Sequence, residues 1–340
     1  MKVLYLDHPE ADFLSSIVYM GLCQELGPEN VVDYPFKRSF HGEVHRYPSP
    51  YAIDLSGEGL PWQRLAKEGP GSVGTTAPFD WMIPQPGREW GRGEVLARLE
   101  EFDLVVLAAP RIYNAAALRD IIAAVGRERL PPLVLVDGED YSALRTDLVD
   151  EFKPSVYFKR ELLPGHSTDK CRLEPFPFAS PVPLSAPVKK DIDVLFLGGM
   201  TWASRAEACI ELKREFGSRF VGGVVAHIPH REYIATIARA KVAVSVRGFG
   251  FDTLRFWEIP SCAGTMLVAD RLPILKPHPF EDGRHACYFD DMGALVEIVR
   301  HALADETWRT IIAQAGNVHL RTFHTSRARA VSLLQTSLGG

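Results

Sequence analysis

Short, unbroken apolar runs alternate with helical stretches along this chain, in two successive series, and few folds accommodate that. In the first series, residues 3–6 precede a helical pattern at Phe13, Ile17, Met20 and Leu26. Residues 104–108 precede 115–125, residues 133–136 precede 141–152, and residues 155–158 follow. A strand that is apolar at every position is buried on both faces, so the pattern predicts a parallel sheet covered by helices on either side. The series restarts at Asp191, with strands at 194–197, near 219–225, at 242–246 and at 266–269. Helices are predicted between them at 204–216, 230–240 and 253–262, and after them at 292–304, 306–320 and 326–334. Residues 175–187 are proline-dense, which neither a helix nor a central strand tolerates, so this run reads as the linker. A length of 340 residues suits two domains. The sequence therefore predicts an α/β protein of two Rossmann-like, doubly wound domains facing a cleft, divided at 185/186. Residues 36–93 carry little periodicity and are expected to be a lid or a poorly patterned pair of strands.

Composition excludes several classes. The hydrophobic fraction is 46% and mean hydropathy −0.04, and no apolar run approaches the ~20 residues of a spanning helix. The first residues read as a strand rather than a signal peptide. The 5 cysteines are far apart and include no C-x-x-C, so neither a disulfide framework nor a zinc knuckle is expected. A cytoplasmic location follows as the expectation. A net charge of −5 gives no reason to expect a nucleic-acid binder, though it is compatible with a locally basic cleft.

The most informative stretch runs from Arg247 to Thr265, from a strand through a glycine-bearing turn into a helix. Such a turn aims free backbone N–H groups at a point beyond the sheet, where phosphate binds well. Arg247 and Arg255 add positive charge, Phe251, Asp252 and Thr253 complete the turn, and Glu258 lies where a carboxylate could reach sugar hydroxyls. Ligands of open α/β sheets sit beyond the carboxyl ends of the strands. By that rule Gly198, Gly199, Ser204 and Arg205 also belong to the candidate site, with Ser204 as a helix cap. Gly248-Phe249-Gly250 begins like a dinucleotide fingerprint, but Thr253 occupies the third glycine position, so a nicotinamide oxidoreductase is disfavoured. In the first domain Asp140, Glu139 and then His8 are the candidates for a general base, with helix capping as the competing role for the carboxylates. Arg111 and the run Lys159-Arg160-Glu161 face the same way, the latter also suiting interdomain ion pairs. Asp191 and Asp193 have the spacing of a metal motif but lie at the wrong end of the sheet, so no metal is expected.

The run R-F-W-E-I-P-S-C-A-G-T from Arg255, with Phe280-Glu281-Asp282-Gly283, Tyr288-Phe289-Asp290-Asp291 and Phe323-His324-Thr325-Ser326-Arg327, resembles the C-terminal half of group-1-type glycosyltransferases. Within them it looks most like the CgeB-like, spore-maturation branch. The resemblance covers roughly residues 191–334 and implies the GT-B fold. It also implies a nucleotide-sugar donor as co-substrate without further cofactor or metal, and an acceptor that it does not identify. It implies donor contacts from Gly199, Arg205, Arg247, Phe251, Asp252, Thr253, Arg255 and Glu258. Residues 186–325 would be the donor side and 1–185 the acceptor side, with the terminal helix, 326–340, packing back across to the first domain. The wider family carries two glutamates eight apart. Glu258 matches the second, whereas Gly250 stands at the first. A non-catalytic sugar- or nucleotide-binding protein is the alternative reading.

Overall fold

A computed structural model describes residues 1–8, 12–41, 83–181, 186–199, 202–224 and 230–339. Most of the irregular 36–93 stretch lies outside the described residues, as do Met200 and Thr201. The first half contains strands β1 (Val3–Leu6), β2 (Val31–Tyr34), β3 (Leu104–Ala108), β4 (Leu133–Asp137), β5 (Val156–Lys159) and β6 (Arg172–Pro175). They form a parallel sheet in the order β2-β1-β3-β4-β5-β6. Its helices are α1 (Phe13–Leu26), α2 (Arg92–Ala97), α3 (Ile112–Val125) and α4 (Thr146–Phe152). The second half contains β7 (Ile192–Gly198), β8 (Phe220–Val224), β9 (Ala240–Ser245), β10 (Met266–Asp270) and β11 (Cys287–Phe289), parallel in the order β11-β10-β9-β7-β8. Its helices are α5 (Ala203–Phe216), α6 (His230–Arg239), α7 (Leu254–Ser261), α8 (Met292–Ala304), α9 (Glu306–Phe323) and α10 (Ser326–Leu338). No helix among the described residues is long and apolar enough to cross a membrane.

The central strands are buried at nearly every position, as their unbroken apolar runs require. Helix α1 departs from its expected single apolar face. Residues from Leu14 to Cys23 are all buried, whereas Phe13 is exposed. The reason is α10, which packs along the outer side of α1, so α1 has no solvent face. Gly21 makes this approach possible, since a Cβ there would run into the backbone carbonyl of Ser326. Asp12 caps α1 by accepting from the Ser15 N–H at 2.8 Å, and Thr325 caps α10 in the same way.

Two further expectations are corrected. Helix α4 begins at Thr146 rather than Tyr141, so Asp140 lies in the preceding loop and caps nothing. Ser204 sits inside α5, which starts at Ala203, and does not cap it. The proline-dense segment is no solvated tether. Phe176, Phe178 and Ala179 are buried in an apolar cluster that runs from the first sheet to Trp257 and Phe256 of the second half. The N–H of Ser180 donates to the carbonyl of His324 at 2.8 Å, which ties the segment to the start of α10.

Replacing Gly21 with alanine gains helix propensity but overfills the α1/α10 contact. The expected outcome is a net loss of roughly 1–2 kcal/mol, read as a lower urea midpoint with an unchanged slope. An unchanged midpoint would show that the two helices can separate without cost.

Candidate functional site

The carboxyl ends of β7 and β9 open onto a cavity of about 330 Å³. Arg205, Tyr233, Thr253, Arg255 and Glu258 of the second half line it, and Phe13, Asp140 and Arg160 of the first half close it from across the cleft.

Arg205 projects from the first turn of α5. Its Nη1 donates to the Gly199 carbonyl and its Nε to the Arg247 carbonyl, each at 2.8 Å, so it ties the loops after β7 and β9 together. Arg255 stands in the first turn of α7, its guanidinium 4.9 Å from the centre of the Phe196 ring. It lies against Gly198, where any Cβ would collide with it. It is 9% exposed, and its Nε and Nη1 have no hydrogen-bond partner among the described residues. Burial, and then the charge of Arg255, bring Arg205 down to about 10. Arg205 remains cationic at neutral pH, and Arg255 places a second guanidinium beside it on the cavity wall.

Glu258 follows one turn after Arg255 and is 3% exposed, so the two do not form a surface pair of a solvated helix face. His230 Nε2 lies 2.7 Å from its Oε1. The phenol of Tyr233 meets both Glu258 and Arg255, and burial, followed by the Glu258 charge, raises its pKa. His230 and Tyr233 had no sequence signal, since only the packing of α6 on α7 brings them to the site.

The other proposed donor contacts lie differently. The Arg247 guanidinium is stacked on Trp202 and Phe251, 4.7 and 4.0 Å from their ring centres, and does not line the cavity. Phe251 and Asp252 turn their N–H groups to the carboxylate of Glu161, at 2.9 and 3.0 Å. Those amides, expected to meet phosphate, are thus already occupied by an anion of the protein. The Asp252 carboxylate accepts from the Phe178 N–H at 2.6 Å and from Trp257 Nε1 at 2.9 Å, holding α7 against the segment after β6. Thr253 Oγ1 lies on the cavity, 3.1 Å from Ser245 Oγ. Gly199 presents its carbonyl to Arg205.

Of the three candidate bases, Asp140 is brought to the cavity, half-exposed and ion-paired with Arg160. Glu139 is ion-paired with Arg111 and is not part of the cavity lining. His8 is buried at the end of β1, away from that lining, and neither ring nitrogen has a hydrogen-bond partner among the described residues. Lys159 turns back to Asp137 at 2.9 Å. Asp191 pairs with Arg239, and Asp193 with Arg219 and Lys241, at the opposite end of the sheet.

Comparison with known proteins bears on the fold that carries this site. Residues 188–335 match the family model described as glycosyl transferase-like. The whole chain superposes on HepE of Anabaena, crystallised with UDP and glucose, at 11% identity, covering 99% of each chain with a TM-score of 0.58. A glycosyltransferase of Rickettsia africae gives a TM-score of 0.57 at 7% identity, covering 99% of this chain and 97% of that one. Sucrose-phosphate synthase of Thermosynechococcus elongatus gives 0.56 at 13% identity, covering 99% and 98%. No curated protein sequence matches the chain. The fold is GT-B, and residues 188–335 are glycosyl transferase-like.

Burial, with the charge of Lys37 beside it, holds His8 down to about 3 against an ordinary 6.5. Folded His8 therefore stays neutral while the unfolded chain takes up a proton, so stability falls as pH drops from about 6.5 towards 3. The contribution is about 1.4 kcal/mol per pH unit within that window. Unfolding free energies from urea titrations at pH 7, 6 and 5 should fall less steeply for His8→Gln than for the native protein. Parallel curves would mean that His8 is charged, or readily becomes charged, in the folded protein.

Proposed function

We propose that this protein transfers a sugar from a nucleoside diphosphate sugar to an acceptor hydroxyl, belonging to the group-1 type and its CgeB-like branch. The carrying observation is the pair of buried guanidiniums at Arg205 and Arg255, the latter with two nitrogens, Nε and Nη1, unbonded among the described residues. Two desolvated like charges on one open wall are costly unless an anion joins them, and a diphosphate supplies charge and acceptors together. Thr253 and the amino end of α7 add donors to the same point. Glu258, held by His230 and Tyr233, accepts hydrogen bonds from the hydroxyls of the attached pentose. HepE, crystallised with UDP and glucose, makes UDP the first nucleotide to test.

The proposed reaction uses these groups in turn. The acceptor oxygen attacks the anomeric carbon, the bond from that carbon to the diphosphate oxygen breaks, and the acceptor proton passes to Asp140. Arg205 and Arg255 stabilise the charge that develops on the departing diphosphate, so the proposed mechanism requires no metal. The first half, which contributes Phe13 and Asp140 to the cavity, is the acceptor side.

Calorimetry with UDP, GDP and dTDP tests this reading, which fails if none binds. Arg255→Met should weaken binding of the preferred nucleotide by about 1.5–3 kcal/mol, the scale of hydrogen bonds to a charged group. The same change relieves the ligand-free protein of a buried charge, so its melting temperature without nucleotide should hold or rise. Glu258→Ala should weaken nucleotide binding by about 1–3 kcal/mol. A variant that melts earlier yet binds nucleotide normally would identify Arg255 as structural.

A further inference from the structure

The segment after β5 crosses from the first sheet to the second half. Glu161 is fully buried there, and its two carboxylate oxygens each take one backbone N–H, from Phe251 and Asp252. Arg160 Nη2 lies 3.3 Å from Glu161 Oε1 and also ion-pairs with Asp140. The Arg160 guanidinium is stacked 4.4 Å from the centre of the Phe178 ring, and burial leaves it little freedom. One more interdomain bond follows, from the Leu275 N–H to the Leu162 carbonyl at 2.8 Å. The seat of this cluster is Gly250. A Cβ at that position would lie 2.6 Å from Glu161 Oε1, 2.8 Å from Asp140 Oδ1 and 3.1 Å from Arg160 Nη2. The space beside the turn is thus filled by side chains delivered from the other sheet.

We propose that Arg160 and Glu161 are positioning residues that clasp the 250–252 turn and thereby hold Asp140 against the donor cavity of the opposite half. The proposal rests on the reading of that cavity as a sugar-nucleotide site. It adds a reason why a group of the first half should be in register with a ligand bound by the second. Two neighbouring amides aimed at one point donate to the two oxygens of a single carboxylate, which fixes Glu161 in position as well as direction. Arg160 then has one anchored carboxylate on one side and Asp140 on the other. Glu161 itself does not line the cavity, so it acts through Arg160.

Three measurements on the full chain test this in the wild type, Glu161→Gln and Gly250→Ala. They are amide exchange at Phe251 and Asp252, UDP affinity by calorimetry, and release of UDP from UDP-glucose resolved into kcat and KM. Exchange of at least one of the two amides should quicken by roughly tenfold or more in each variant, the consequence of losing a hydrogen bond to a charged group. UDP affinity should stay within about threefold, since Arg255 and Glu258 are untouched, while kcat falls roughly tenfold or more with KM nearly unchanged. Glu161→Gln keeps the volume of the native side chain, so it decides the matter if Gly250→Ala fails to fold. Unchanged exchange rates overturn the clasp, and faster exchange with an unchanged kcat overturns its positioning role. A wild type that binds no nucleoside diphosphate overturns the donor reading instead, and the exchange rates still decide whether the clasp exists.

Discussion

The two halves of this molecule exchange carboxylates. Glu161, on the first half, accepts two backbone N–H groups from the turn before α7, while Asp252, on that turn, accepts the Phe178 N–H from the segment after β6. Burial raises the pKa of both acids, and the amide donors, together with Arg160, offset it. Such bonds hold only while water is kept out, and the apolar cluster around Phe176, Phe178, Trp257 and Phe256 keeps it out. Arg329 closes the other side of this seam, donating to the Phe178 carbonyl at 2.9 Å and lying 5.7 Å from the centre of the Trp257 ring. The cleft is therefore set by hydrogen bonds of fixed direction, and the cavity at its floor inherits that geometry.

The central strands were legible because a doubly covered parallel sheet needs apolar residues at every position. What the pattern could not show was coverage from outside. Helix α1 carries Gly21 on a face that would ordinarily meet water, and α10, with the Ser326 carbonyl set against it, explains its burial. Edge strand β6, Arg-Leu-Glu-Pro, is half-exposed and carries no apolar run, so its sequence does not announce it. The candidate site divides along the same line. Arg205, Arg255 and Glu258 were readable because strand ends and a strand–turn–helix passage place them locally. His230, Tyr233 and Glu161 were not, because each reaches the site through contacts between elements distant in sequence.

One inference drawn from local chemistry failed for an instructive reason. Free amides at a glycine turn do attract anions, and here they have one, supplied by Glu161 rather than by a ligand. In the proposed reading the bound anion therefore meets the second half one turn along, at Arg255 and the amino end of α7. Arg247 shows the same displacement. It has the charge expected of a phosphate contact, but two aromatic faces hold it outside the cavity, where its charge is worth less to a bound anion.

The glycines that shape the site act through the space they leave. Neither Gly198 nor Gly250 adopts a positive φ, so backbone freedom does not explain either of them. Gly198 leaves room for the Arg255 guanidinium beside β7, and Gly250 leaves room for the Arg160–Glu161 pair and Asp140. A side chain at 198 would push the cation off the cavity wall, and one at 250 would displace the ends of the Glu161, Asp140 and Arg160 side chains. The resemblance to group-1-type glycosyltransferases is interrupted at position 250, where it implies a glutamate and this chain has glycine. At that one point the carboxylates come from across the cleft, and a turn without a side chain is the condition for their approach.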